Sequence, residues 1–288
     1  VEGGVVLATE RMNNILKIDE KNLQVHTEPG VITEILQEAV KEKNLFFPPD
    51  PASKGSCFIG GNITENSGGP KAIKYGVVND YVLNLEVVLP TGEIIWTGAN
   101  TLKNVTGYNL TQLIVGSEGT LGIVTKIVLK LIPMPKHDLT MFTSFTTLEK
   151  ACEAVNLILM NGFNPCGLEL MEIEALKMAA LRTPHQLPIH ENLAACLIIE
   201  VDGNNADQLM NEMESIAQLL AELDPVDILV AEDSQQKEEL WKLRRRVAEI
   251  VKAAGYTIEE DTVVPRAALA PLIKGVKQLA KMHDFQSV

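Results

Sequence analysis

The chain has 288 residues, with 25 Lys and Arg against 38 Asp and Glu, a net charge of −13. An acidic surface of that size repels phosphate backbones, which argues against nucleic acid as a general partner. With 46% hydrophobic and 22% charged residues the chain is too apolar for disorder. No apolar run reaches the ~20 residues that span a bilayer, and the start lacks the basic and apolar regions of a secretory leader, so a cytoplasmic protein is expected, peripheral to the inner membrane face at most through a partner.

In chain order, Gly4–Leu7 and Ile15–Asp19 read as strands, and the alternation of Leu23–Glu28 predicts a half-buried one. Ile35, Leu36, Ala39 and Val40 fall at helical spacing, which predicts a helix from Thr33 to Leu45 with Thr33 as a candidate N-cap. Leu83–Leu89 and Glu93–Thr97 form a predicted hairpin about a Pro-Thr-Gly turn, and Lys126–Ile132 is a further strand closed by Pro133 and Pro135. Beyond the double proline the texture changes. Leu139–Phe145, Ala194–Val201 and Asp227–Ala231 are strand-like, with helices at Thr147–Asn161 and Ala206–Leu223 between them. That rhythm predicts an α+β sandwich of ferredoxin-like type. Amphipathic helices follow at Gln235–Ala254 and Ala267–His283. The domain boundary is therefore placed at residues 134/135, and both ends of the chain read as cut.

Cys57, Cys152, Cys166 and Cys196 show no metal-ligand spacing and are expected as reduced, buried thiols. Met171, Met178, Met210 and Met213 read as core filler. His185 and His190 flank Pro188 in an expected loop with no convincing ligand spacing.

The segments that carry chemistry are rich in glycine. Phe47-Pro48-Pro49-Asp50-Pro51-Ala52-Ser53 is stiffened by its prolines. It is followed by Gly60-Gly61-Asn62-Ile63-Thr64-Glu65-Asn66-Ser67-Gly68-Gly69, whose glycine pairs permit positive φ and close approach of another group. Successive N–H groups in such loops can cradle phosphate oxygens, and Ser53, Asn62 and Ser67 offer side-chain donors to a flat polar ring. A second loop is Gly116-Ser117-Glu118-Gly119-Thr120-Leu121-Gly122-Ile123. Taken singly, each loop reads equally as an ordinary turn of a β-rich domain. Neither is a Rossmann or Walker signature.

Together with Gly3-Gly4-Val5-Val6-Leu7, Lys74-Tyr75-Gly76 and Thr106-Gly107-Tyr108-Asn109-Leu110, these motifs resemble, in order, the FAD-linked oxidases of the vanillyl-alcohol oxidase superfamily. Within it the chain is most similar to the glycolate oxidase flavin subunits and the D-lactate and D-2-hydroxyglutarate dehydrogenases. The resemblance implies part of a PCMH-type FAD-binding domain over residues 1–134, followed by an incomplete ferredoxin-like α+β substrate (cap) domain over residues 135–288. It implies FAD as the cofactor, lined by Pro49, Asp50, Ser53, Gly60, Gly61, Asn62, Asn66, Ser67, Gly68 and Gly69, with backbone contacts from Gly119, Gly122 and Ile123. Trp241-Lys242-Leu243-Arg244 matches the family's Trp-x-x-Arg, which places Arg244 on the substrate carboxylate, whereas Arg245 and Arg246 read as a solvated stripe.

Two family segments, an Arg-Gly-x-Gly-Thr loop and a Gly-His-x-Gly-Asp-Gly-Asn-x-His element, are absent. The catalytic base and any divalent metal are therefore expected outside these residues, with no metal ligands within them. Glu259 and Ala248 stand where the 2-hydroxyglutarate enzymes have lysine and threonine, which favours glycolate or D-lactate as substrate. The implied activity is FAD-dependent oxidation of a small 2-hydroxy acid, with an iron–sulfur subunit, a quinone or an electron-transfer flavoprotein as acceptor. Two alternatives stay open: a non-catalytic FAD-binding assembly module, and a flavoenzyme of the same superfamily with other chemistry, such as alkyl transfer.

Overall fold

The computed structural model describes residues 3–180 and 190–287, apart from the side chains of Ala248 and Ala254. His185 and Pro188 lie outside the described residues. The chain divides into two compact units, Val1–Pro135 and Lys136–Val288.

The first unit runs β1 (Ile15–Asp19), β2 (Gln24–Thr27), α1 (Thr33–Lys41), β3 (Leu45–Phe46), α2 (Ile59–Glu65), α3 (Ala72–Tyr75), β4 (Val82–Val88), β5 (Ile94–Trp96), α4 (Leu110–Ile114), β6 (Ile123–Lys130) and β7 (Ile132–Pro133). Its main sheet is antiparallel in the order β1-β2-β6-β4-β5, with β3 and β7 paired apart from it. Leu85 and Val87 of β4, and Ile127 and Leu129 of β6, recur at the two-residue period of a strand and are fully buried. Leu36 and Val40 of α1, and Ile59 and Ile63 of α2, meet them at the four-residue period of a helix, in one core.

Three expectations change here. Gly4–Leu7 is not a strand, and Val5 and Val6 stand exposed. The first helix ends at Lys41, because Asn44 takes a left-handed φ of 55° and delivers Leu45 to β3. Thr33 is the first helical residue and not the cap; its hydroxyl lies 3.3 Å from the Cys57 carbonyl oxygen.

The second unit runs β8 (His137–Phe145), α5 (Leu148–Met160), β9 (Gly167–Glu172), α6 (Ile173–Ala180), β10 (Ala195–Gly203), α7 (Ala206–Ala221), β11 (Asp227–Val230), α8 (Ser234–Ala254) and α9 (Leu269–His283). The sheet is antiparallel in the order β11-β8-β10-β9. Counted within the unit this is 4-1-3-2, the ferredoxin-like arrangement. Strand β9, at the sheet edge, is an element that the sequence reading passed over.

Alternation along β10 builds two cores. Ala195, Leu197, Ile199 and Val201 pack with residues of α5 and α7, while Cys196 and Ile198 pack with residues of α6 and α8. Both faces of the sheet are therefore covered, and β10 is buried almost throughout. Met171 lies in β9 and Met178 in α6; Met213 is buried in α7, and Met210 is exposed. Cys152, Cys166 and Cys196 are buried and Cys57 is half-buried, and none of the four forms a disulfide among the described residues. Burial pushes the Cys196 thiol up to about 12. Among the described residues no helix is long and apolar enough to cross a membrane.

Candidate functional site: a glycine-braced loop cluster and an arginine helix

In the first unit, backbone hydrogen bonds bring the glycine-rich segments together. The Gly60 N–H donates to the Pro29 carbonyl at 2.8 Å, the Ser67 N–H to the Asn62 carbonyl at 2.9 Å, and the Gly116 and Glu118 N–H groups to the Ile63 and Thr64 carbonyls, each at 2.9 Å. Gly69 lies against the proline-rich segment so closely that a Cβ on it would stand 2.2 Å from the Asp50 carbonyl oxygen. On Gly60 a Cβ would stand 2.6 Å from Pro29 Cβ, and on Gly122 it would meet Val87 Cγ1 at 2.6 Å. The loops at Pro49–Ser53, Gly60–Gly69 and Gly116–Glu118 thus form one cluster.

The reason for these glycines differs from the sequence-based one. Gly60, Gly61, Gly68 and Gly69 do not take positive φ; Gly116, Glu118 and Gly119 do. Gly60–Asn62 is not a loop but part of α2, because Ile59 and Ile63 bury one face of that helix in the core and outweigh two poor helix formers. Several N–H groups expected to face an anion are spent on carbonyls that tie the segments together.

Of the side chains expected as donors, those of Asn62 and Ser67 are likewise engaged inside the unit. Asn62 is buried, donates to Thr33 Oγ1 at 2.6 Å and accepts from Ser67 Oγ at 3.5 Å. Asn66, left-handed at φ 54°, accepts the Asn79 N–H at 2.9 Å. Pro49 is buried, and its carbonyl accepts from Gln37 Nε2 at 2.8 Å. Asp50 lies 2.9 Å from Lys54 Nζ, an ion contact in which the same Asp50 oxygen has no aligned hydrogen bond. The Ser53 side chain is exposed, and its carbonyl accepts from the Ser56 and Cys57 N–H groups. Gly68 packs 3.5 Å from Val77 Cγ1, measured from where a Cβ would stand, and Ile123 pairs with Val88 with its side chain exposed.

Some of the cluster still faces outward. Of the three N–H groups that open α2, those of Ile59 and Gly60 reach carbonyls, whereas that of Gly61 has no carbonyl partner among the described residues. A Cβ on Gly61, or on Gly119 at φ +72°, would meet nothing within 4 Å. Ser117 Oγ is buried without a hydrogen-bond partner among the described residues. A cleft of about 340 Å³, rimmed by Thr106, Gly107 and Tyr108, shares Asn79 with the cluster.

In the second unit, α8 lies on the face of the sheet that carries Gly167 and Glu169 of β9 and Glu200 of β10. The register pairs Gly167 with Glu200 and Glu169 with Ile198. The Trp241 ring sits over Gly167, where a Cβ would be 3.1 Å from Cζ2 and Cη2, and its N–H donates to Glu200 Oε2 at 2.5 Å. Buried Glu200 also accepts from Thr140 Oγ1 at 3.4 Å and Cys166 Sγ at 3.5 Å. Three residues on, nearly one helical turn, the half-buried Arg244 donates from Nε to Glu169 Oε2 at 2.6 Å. Glu169, Glu200 and Gly167 carry no local motif, so nothing in the sequence singled them out. Among the described residues no group of three or more His, Cys, Asp or Glu side chains could hold a metal ion.

Comparison with known proteins accounts for both units. Residues 1–98 match the FAD binding domain, and residues 134–288 match the C-terminal domain of FAD linked oxidases. The chain is 40% identical over 285 residues to the glycolate oxidase subunit GlcD of Bacillus subtilis (strain 168), covering 99% of this chain and 60% of that protein. It is 35% identical over 292 residues to the D-lactate dehydrogenase of Anaerostipes hadrus, covering 99% of this chain and 61% of that one. The chain thus spans about 60% of the length of these curated relatives. Among solved structures, an alkyldihydroxyacetonephosphate synthase matches with a TM-score of 0.77 at 23% identity, over 94% of this chain and 55% of that one. A 4-ethylphenol oxidase from Gulosibacter chungangensis matches with a TM-score of 0.73 at 17% identity, over 95% and 60%. These two likenesses concern the fold alone. The chain belongs to the family of FAD linked oxidases.

Proposed function

We propose that this chain serves the FAD-dependent oxidation of a small 2-hydroxy acid, glycolate or D-lactate, to the 2-oxo acid, with electrons passing to a separate acceptor. The observation that carries the reading is the Arg244 guanidinium, half-buried and bonded to Glu169 at Nε, in a chain resembling proteins named for glycolate and D-lactate. The terminal amino groups of an arginine held at Nε form a fork that matches a carboxylate with two parallel hydrogen bonds. FAD, when bound, supplies the two-electron acceptor for the hydride leaving the substrate α-carbon. Arg244 binds and orients the acid, which is the positioning part of the rate enhancement. Glu259 and Ala248 offer no cation or hydroxyl to a second, distal carboxylate, in keeping with a monocarboxylate substrate. An iron–sulfur subunit, a quinone or an electron-transfer flavoprotein is the class of acceptor, and the setting is cytoplasmic.

For the cofactor, the loop cluster around Pro49–Ser53, Gly60–Gly69 and Gly119–Ile123 is the proposed cradle. The open side of Gly61, its unpartnered N–H and the orphaned Ser117 hydroxyl fit a polar group approaching the backbone. Gly61→Ala tests this, because in the helix alanine is better than glycine by about 1 kcal/mol. The apoprotein is expected to unfold a few degrees higher, since ~1 kcal/mol moves Tm by about 2–4 °C in a protein of this size. The FAD Kd is expected to weaken by about tenfold or more, because the new methyl blocks the approach. FAD titration giving an unchanged Kd would remove Gly61 from the cradle.

For the substrate, Arg244→Ala in the flavin-loaded protein is expected to raise KM for D-lactate or glycolate by at least about tenfold, since a hydrogen bond to a charged group contributes ~1.5–3 kcal/mol. Steady-state kinetics on the two acids and on 2-hydroxyglutarate read both the clamp and the preference. A dominant rate on the dicarboxylate overturns the substrate assignment.

A further inference from the structure

Arg244 does not stand alone on its helix. A carboxyl group from the neighbouring edge strand meets it side-on, and the arrangement that brings the two together is built of several parts. Gly167 has no side chain under the Trp241 ring, so the indole seats directly on β9. The indole N–H is bound by buried Glu200 on the adjacent strand, which fixes the roll of α8 about its axis. Two residues along β9 from Gly167, on the same face, Glu169 reaches Arg244. Its side chain is 18% exposed against 35% for Arg244, so the contact is partly shielded from water and worth more than a surface pair.

We propose that Glu169 is a positioning residue for substrate recognition: it grips Arg244 at Nε and so holds the two terminal amino groups toward the incoming carboxylate. The inference rests on the reading of Arg244 given above. A free arginine side chain loses rotamer freedom when it is fixed. Glu169 takes that ordering out of the binding step, so the acid meets a guanidinium already oriented. The role needs an acceptor oxygen at Nε and not the negative charge itself, because the charge opposes a second carboxylate nearby. Glutamine therefore serves where alanine does not.

The test uses the full-length, flavin-loaded protein and two readouts, KM for D-lactate or glycolate and the Kd of 2-hydroxy-2-methylpropanoate. The latter has no α-hydrogen and binds without reacting. Glu169→Ala is expected to raise both by about tenfold, with kcat changed less than about threefold. Glu169→Gln is expected to restore both to within about threefold of the parent. In an Arg244→Ala background, Glu169→Ala is expected to add nothing, since its effect passes through the arginine. If Glu169→Ala does not fold, Glu169→Asp reads the same split, with the acceptor drawn back by one methylene.

Unchanged KM and Kd in Glu169→Ala, additive effects in the double variant, or a Gln variant as impaired as Ala overturns the inference while leaving Arg244 as the clamp. An Arg244→Ala variant with the parent's KM is a different result; it overturns the reading of Arg244 and the inference with it.

Discussion

Gly69→Val is expected to yield a protein that has lost its flavin and unfolds well below the parent. A Cβ at this position would lie 2.2 Å from the Asp50 carbonyl oxygen, 2.5 Å from its carbon and 3.1 Å from its nitrogen. All three are backbone atoms, so no rotamer change relieves the contact, and the proline-stiffened segment must move as a body. Overpacking of this kind costs ~1–3 kcal/mol and sometimes more, which at about 2–4 °C per kcal/mol corresponds to a fall in Tm of roughly 6–12 °C at the upper end. The displaced segment is one wall of the proposed cradle, so the FAD Kd is expected to weaken by about tenfold or more. Gly275→Ala serves as the control, since a Cβ there meets nothing within 4 Å. Thermal unfolding and the flavin absorbance of the purified proteins check both effects. A Gly69→Val protein with full flavin content would show that the two segments do not need to touch.

The largest stability effect is expected in the second unit, from Trp241→Ala. Trp241 is 7% exposed and belongs to the same hydrophobic core as Leu240, Leu243, Ile198 and Met171. Removing such a buried aromatic costs ~3–5 kcal/mol, or roughly 6–20 °C in Tm at about 2–4 °C per kcal/mol. The loss goes beyond volume, because Glu200 is buried and gives up the indole N–H bond at 2.5 Å. Trp241→Phe separates the contributions. It keeps most of the apolar area and removes only the N–H donor, for an expected cost of ~1–3 kcal/mol. Equal Tm values for the phenylalanine variant and the parent would show that the indole N–H to Glu200 contact adds nothing to the fold.

The elements legible in the sequence share a physical character. Leu139–Phe145 and Ala194–Val201 are rich in aliphatic, aromatic and β-branched residues, and α5 and α7 have helical periodicity and capping side chains, Thr147 and Asn205. Local pattern sufficed for them. Edge strand β9 was harder to see, because its Glu169 and Glu172 interrupt the apolar pattern and meet cations from distant elements, Arg244 of α8 and Lys277 of α9. Helix α2 was hidden by Gly60-Gly61, whose local preference against helix is overruled by Ile59 and Ile63.

The site divides in the same way. Composition and the change of texture at the double proline by themselves determined an acidic two-part chain, and the ordered glycine motifs and Trp-x-x-Arg carried its resemblance to flavin oxidases, since those signals lie in residues close in sequence. Which glycines press against backbone and which stand open was decided only in three dimensions, because the partners of Gly60 and Gly69, Pro29 and Asp50, are 31 and 19 positions away. The same holds for Arg244, whose environment comes from Glu169 on a strand 75 residues earlier. A side chain's chemistry is written in its own letter, but its neighbours, and hence its orientation, follow from strand register and helix roll, which the whole core sets at once.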